Sequence, residues 1–240
     1  MPTHSEHEHT PEAINARLSR GNRVNYLRDF IYGGIDGAVT TFAVVAGTLG
    51  ANLPSRVVLI LGSANLVADG FSMAASNFLG TRAEREDYER IRQVELRHIE
   101  QFPDGEREEV RQIYAAKGFD GEELERVTEL ITADKSRWVE SMLTEEYGLP
   151  AAIRSTWAAS ACTFAAFVIC GLIPLLPFMV AGADAFALSA AVTGGVFFAI
   201  GSLKSMWSTT SWWRSGVLTF AIGAAAAGLA YLAGTLFNYV

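Results

Sequence analysis

Hydrophobic and polar positions in this chain separate into long blocks. Five windows, residues 30–53, 57–81, 155–183, 185–203 and 215–240, are almost free of ionisable side chains. About 20 apolar residues suffice to cross a bilayer as a helix, so each window predicts a span. Only two of them hold a charge, Asp36 in the first and Asp69 in the second. At Arg82 the second window turns into AEREDYERIRQVELRHIEQ with no proline or turn cluster at the change. A helix of about 45 residues is therefore expected to run on unbroken to Gln101, reaching roughly 65 Å where about 30 Å would cross the hydrocarbon layer.

The polar block that follows is punctuated as a small helical domain. Phe102, Pro103, Asp104 and Gly105 predict a turn, and a helix is expected over about 106–117 up to Gly118. Asp120 and Glu123 have the spacing of a capping box for the next helix, and a last one is expected over about 133–147 before Gly148-Leu149-Pro150. Pro174 and Pro177 are expected to kink or end the third span. The fold class is all-α integral membrane, with five transmembrane helices and a helical insert between helices 2 and 3. The organisation expected is a disordered His- and Glu-containing tail over 1–22, helices 1 and 2 over 23–81, the insert over 82–153 and helices 3 to 5 over 154–240. In the tail, His4, His7 and His9 alternate with Glu6 and Glu8, a loose chelator or merely a solvated segment.

Composition agrees: 50% of the 240 residues are hydrophobic and only 19% are charged. The net charge of −7 is concentrated in residues 82–153, which hold nineteen Asp or Glu against eleven Lys or Arg. An acidic lobe suits cations and disfavours nucleic acid. Of the 19 Lys and Arg, only Arg56 falls on the far side of a five-span arrangement, so the N-terminus and the insert are expected to be cytoplasmic and the C-terminus opposite. The first 25 residues lack the continuous apolar core of a secretory signal. Short linkers lean toward a bacterial plasma membrane. Cys162 and Cys170 lack metal-ligand spacing and read as small core residues. No catalytic triad, phosphate loop or nucleotide fingerprint is present, so an enzyme is not expected.

Candidate chemistry begins with the two carboxylates in the spans. An aspartate there costs about 3 kcal/mol on insertion scales and needs a partner, a water-filled cavity or a cation. No Lys or Arg lies at matching depth, which favours an ion path over a structural salt bridge. Asn65, Asp69 and Met73 recur at four-residue spacing and share a helix face. Met73 alone reads as packing, yet a thioether beside carboxylates suits a borderline ion such as Fe²⁺. In the insert, three pairs share helix faces: Glu95 with His98, Glu106 with Glu109, and Met142 with Glu146. Taken singly, each glutamate reads as solvated surface; together they could converge on a metal ion.

Three motifs in order, RDFIYGGIDGAVTTFAVVAGTLGA, ANLVADGFSMAASNFLGTRAE and GLIPLLPFM, with the charged insert between the last two, resemble the vacuolar iron transporter family over about residues 24–240. The resemblance implies a homodimer of five-helix protomers with a cytoplasmic metal-binding domain. It implies Fe²⁺, and often Mn²⁺, carried out of the cytosol in exchange for protons, with no prosthetic group. Family positions fall on Asp36 and Met73 in the spans and on Glu95, Glu106, Glu109, Met142 and Glu146 in the insert. Two positions depart from the family pattern. A second-span glutamate falls on Asn65, where Asp69 one turn on could supply the carboxylate, and an insert glutamate falls on His98. The alternative is a membrane-anchored metal sensor or store without translocation. A di-metal oxidase would need more Glu-x-x-His elements than the chain holds.

Overall fold

Lipid cannot satisfy backbone N–H and C=O groups, so apolar sequence of this length folds as helix. The structure, a computed structural model, describes residues 8–19, 25–150 and 154–237. Helices and short 3₁₀ turns are the regular elements among the described residues: α1 (Pro11–Ser19), α2 (Leu27–Gly50), α3 (Ser55–Gln101), α4 (Pro103–Ala116), α5 (Gly121–Thr132), α6 (Lys135–Glu145), α7 (Thr156–Leu172), α8 (Leu176–Val180), α9 (Ala185–Lys204) and α10 (Trp212–Leu236). Among the described residues five stretches are long and apolar enough to cross a membrane: α2, α3, α7 through α8, α9 and α10.

α3 is one helix of 47 residues that passes the compositional change at Arg82 without a break. At 1.5 Å per residue it is about 70 Å long. The chain divides into two compact units, one of Met1–Val24 with Arg82–Arg154, the other of Asn25–Thr81 with Ser155–Val240.

In the apolar unit α2 is the central element, packed against α7, α9 and α10. Its contact with α7 depends on glycine. A Cβ at Gly33 would stand 2.4 Å from the Thr163 carbonyl oxygen, and one at Gly37 would stand 2.3 Å from that of Phe167. Only a residue without a side chain lets the two backbones come this close. Ile31, Phe42, Val45, Leu66, Phe167, Phe197 and Ile200 fill the core around this seam. Pro174 and Pro177 end α7 in a 3₁₀ turn, Ile173–Leu175, before the short α8. There the Ser189 hydroxyl of α9 donates to the Pro174 carbonyl at 2.6 Å, satisfying backbone at the break.

The polar unit has its own core of Ile99, Val110, Trp138, Val139, Met142 and Leu143, contributed by α3, α4 and α6. α6 is capped by Asp134, whose carboxylate accepts from the Arg137 N–H at 2.9 Å.

Three expectations are corrected. Residues 11–19 form a helix instead of disordered tail, because Thr10 and Pro11 supply a cap and a first helical residue; the Thr10 hydroxyl accepts from the Ala13 N–H at 3.2 Å. His4 and His7 lie outside the described residues. α4 starts at Pro103, not near Glu106, since proline at the first helical position forfeits no hydrogen bond. The capping box does not form: Asp120 makes no side-chain cap bond. Gly121, the first helical residue, has φ +51°, outside the helical range that a capping box requires at that position.

Candidate metal sites

The first span begins three residues earlier than the apolar window, at Leu27, so Asp36 sits in the third turn of α2. It is half-buried and within electrostatic range of Asp69 on α3. Among the described residues neither carboxylate has a Lys or Arg within ion-pair distance. Two anions held near each other without a cation favour uptake of a cation or a proton.

Asn65 lies beside this pair, and its orientation is determined by α2. The Thr40 hydroxyl spends its proton on the Asp36 carbonyl at 2.9 Å, so toward Asn65 it can only accept. Asn65 Nδ2 donates to it at 3.2 Å and to the Thr41 hydroxyl at 3.4 Å. The carboxamide therefore commits its nitrogen to α2 and keeps its oxygen for another direction. Asp69 is exposed on the open side of α3, with Ala68, Ser72 and Ser76 exposed along the same stripe, while Met73 is half-buried against the core.

A second polar knot in this unit was not visible in the sequence. Asn77 Nδ2 lies 2.9 Å from Asp29 Oδ1, 2.7 Å from the Thr163 hydroxyl and 3.3 Å from the Ala159 carbonyl, and Thr81 donates to its Oδ1 at 3.2 Å. It joins α2, α3 and α7. Asp29 lies just before the apolar window that starts at 30; the helix takes it in, and it is 5% exposed.

In the polar unit the acidic candidates from α3, α4 and the end of α6 come together. Glu95 and Glu106 are both buried, and each has an Oε2 without a hydrogen-bond donor. Their carboxyl groups are in hydrogen-bonding range of each other, a contact that is a bond only when one of them holds a proton. His98 Nδ1 stands 3.3 Å from Glu106 Oε1. Burial, then the charges of Glu95 and Glu109, push the Glu106 carboxyl up to about 8. Burial and the same two neighbours also raise Glu146. Tyr147 donates its hydroxyl to Glu95 Oε1 at 2.9 Å, and burial with that bond raises the phenol well above its usual range. No signal in the sequence pointed to Tyr147, since the bond links residues 52 apart. Met142 lies fully buried in the apolar core, with Glu146 one turn on at the C-cap. Among the described residues no three His, Cys, Asp or Glu side chains close around one point as a finished coordination shell. The donors are carboxylates and one imidazole, a set suited to a partly hydrated divalent ion.

The VIT family matches this chain over residues 27–235. The chain belongs to the VIT family. Its members are transporters, not enzymes. Among similar proteins, "Vacuolar iron transporter 2" of Oryza sativa subsp. japonica is 35% identical over 208 residues, 85% of this chain and 85% of the relative. "Vacuolar iron transporter 1" of Arabidopsis thaliana is 33% identical, over 85% of this chain and 83% of its own length. "Vacuolar iron transporter" of Toxoplasma gondii is 32% identical, over 90% of this chain and 76% of its own. The region of this VIT family chain that matches includes both groups of candidate residues, the Asp36, Asn65, Asp69 and Met73 face and the acidic cluster of the insert.

Proposed function

We propose that this protein carries Fe²⁺ or Mn²⁺ out of the cytosol in exchange for protons, as a homodimer. The observation that carries the reading is the pair of intramembrane carboxylates, Asp36 and Asp69, in mutual electrostatic range with no basic partner among the described residues. A membrane anchor for a metal sensor or store has no use for such a pair, since each carboxylate costs about 3 kcal/mol on insertion scales. The relatives' names supply iron as cargo.

Residues 82–153 then act as the cytoplasmic metal-binding domain and 23–81 with 154–240 as the transmembrane body, an orientation supported by the distribution of Lys and Arg. Glu95, His98, Glu106, Glu109, Glu146 and the Met142 thioether collect the ion. The proton that Glu106 holds must leave as the ion binds, so affinity falls where the medium is acidic. Asp36, Asn65, Asp69 and Met73 pass the ion through the membrane. Protonation of Asp36 and Asp69 from the far side weakens binding and releases it. Asp69 lies on the open face of α3 in the single chain, and a second copy packed on that face keeps it from the acyl chains. The membrane that hosts the cycle need only face the cytosol, whether a bacterial plasma membrane or an internal one.

Purified protein in liposomes should move Fe²⁺ or Mn²⁺ with opposite proton flux, and Asp36→Ala should abolish both. Transport retained by that variant would remove Asp36 from the mechanism. Metal bound by the whole protein without any flux would favour the sensor.

A further inference from the structure

At one end of the apolar unit, the start of α2 and the end of α9 enclose a cavity of about 380 Å³ lined by Asn25, Leu27, Arg28, Ile31, Tyr32, Ile35, Lys204 and Ser208. Its chemistry is the reverse of the ion path. Among the described residues its lining holds two cations and no carboxylate, so it repels a divalent metal ion. Neither Arg28 nor Lys204 has an Asp or Glu within ion-pair distance among the described residues. Arg28 is instead held over the Tyr32 ring, its guanidinium carbon 5.4 Å from the centroid. Below the charges the lining is aliphatic and aromatic: Leu27, Ile31, Ile35 and the Tyr32 ring. The cavity sits where two spans end together, Leu27 being the first residue of α2 and Lys204 the last of α9. Exposed Trp212 and Trp213 begin the next span, α10, a few residues after Lys204. Basic side chains at span ends, with tryptophan nearby in sequence, mark the level of the lipid headgroups.

We infer that this cavity binds one anionic phospholipid, its phosphate between Arg28 and Lys204, its polar glycerol region against Asn25 and Ser208, and its first methylenes along Leu27, Ile31 and Ile35. Paired basic residues in a pocket between transmembrane helices recognise a phosphate-bearing headgroup, and an apolar floor favours the lipid over free phosphate. A zwitterionic headgroup brings its own cation and loses the advantage. The site is separate from the metal path in its residues, and it stands whether or not the proposed ion exchange is correct.

The test is native mass spectrometry of the delipidated full-length protein in detergent, titrated with dioleoyl phosphatidylglycerol, dioleoyl phosphatidylcholine or inorganic phosphate. Phosphatidylglycerol should bind in a discrete one-per-protomer step, phosphatidylcholine more weakly, and millimolar phosphate should not displace the lipid. Arg28→Gln with Lys204→Gln should weaken phosphatidylglycerol about thirtyfold, roughly fivefold for each cation. The charge-keeping pair Arg28→Lys with Lys204→Arg should bind within a few-fold of the parent. Where the neutral pair does not fold, Ser208→Glu at an exposed position should lower phosphatidylglycerol binding and leave phosphatidylcholine unchanged. Equal affinity for the two lipids, unchanged binding by a folded neutral pair, or displacement by phosphate would each overturn the assignment. So would a cavity closed to lipid in the assembled dimer and opened only by its dissociation.

Discussion

Buried Glu106, beside Glu95, makes the stability of the polar unit depend on pH in a direction opposite to that of most salt-bridged carboxylates. The Glu106 carboxyl is raised from 4.5 to about 8, and its side chain is only 5% exposed, so solvent screening does little to reduce the effect. Below pH 4.5 the group is protonated whether the unit is folded or not, and it contributes no pH dependence. Between 4.5 and about 8 the unfolded chain has lost the proton and the folded chain retains it, so stability falls as pH rises. Above about 8 both forms are ionised and the loss is complete. At 1.36 kcal/mol per pKa unit the swing from Glu106 is at most about 5 kcal/mol. Glu106→Gln keeps the shape and removes the charge, so at pH 9 it should stabilise the metal-free unit by about 2–5 kcal/mol and at pH 5 change little. Hydrogen exchange of α4 and α6 amides in the whole detergent-solubilised protein, corrected for intrinsic pH dependence, measures this opening free energy directly. Mn²⁺ added at pH 8 should restore the parent's protection by replacing the lost proton, and should do so far less in Glu106→Gln. Protection that is flat from pH 5 to 9, or a Glu106→Gln unit less protected than the parent at pH 9, would refute the reasoning.

Four further outcomes are expected. Gly37→Ala places a Cβ 2.3 Å from the Phe167 carbonyl oxygen and should cost about 1–3 kcal/mol, read as a lowered unfolding temperature, whereas Gly195→Ala in α9, with nothing within 4 Å, should be neutral or slightly stabilising. Thr40→Val removes the nearer of the two hydroxyls that orient Asn65; liposome flux should drop about tenfold, the equivalent of one buried hydrogen bond of about 1.4 kcal/mol, with the unfolding temperature little changed. Tyr147→Phe deletes the donor to buried Glu95 and should raise the pH needed for half-maximal Mn²⁺ binding, measured by calorimetry. Ser72→Cys, on the exposed stripe of α3 beside Asp69, should cross-link two copies in membranes on mild oxidation, in a background lacking Cys162 and Cys170; a protein that remains monomeric under those conditions counts against the dimer.

What the sequence determined by itself is whatever lipid and backbone chemistry settle locally. Five apolar windows had to be helices, because continuous apolar runs of about 20 residues are too long for barrel strands and satisfy their backbone in lipid by intrahelical bonds, and the unbroken run through Arg82 required a single long α3. Asp36 and Asp69 stood out for a related reason: a lone carboxylate among apolar residues is conspicuous without any knowledge of its neighbours. Helix ends were less legible, since a first turn carries unbonded N–H groups in any case and can extend into polar sequence, as α2 does at Asp29 and α4 at Pro103. Contacts between helices were decided only by tertiary structure. Periodicity specifies which residues share a face but not how that face is rotated against another helix, so it could not predict that Tyr147 reaches Glu95, that Asn77 gathers Asp29 and Thr163, or that Met142 is fully buried in the apolar core. The elevated Glu106 carboxyl belongs to the same class, because it arises from burial and from charges on three separate segments that only folding brings together.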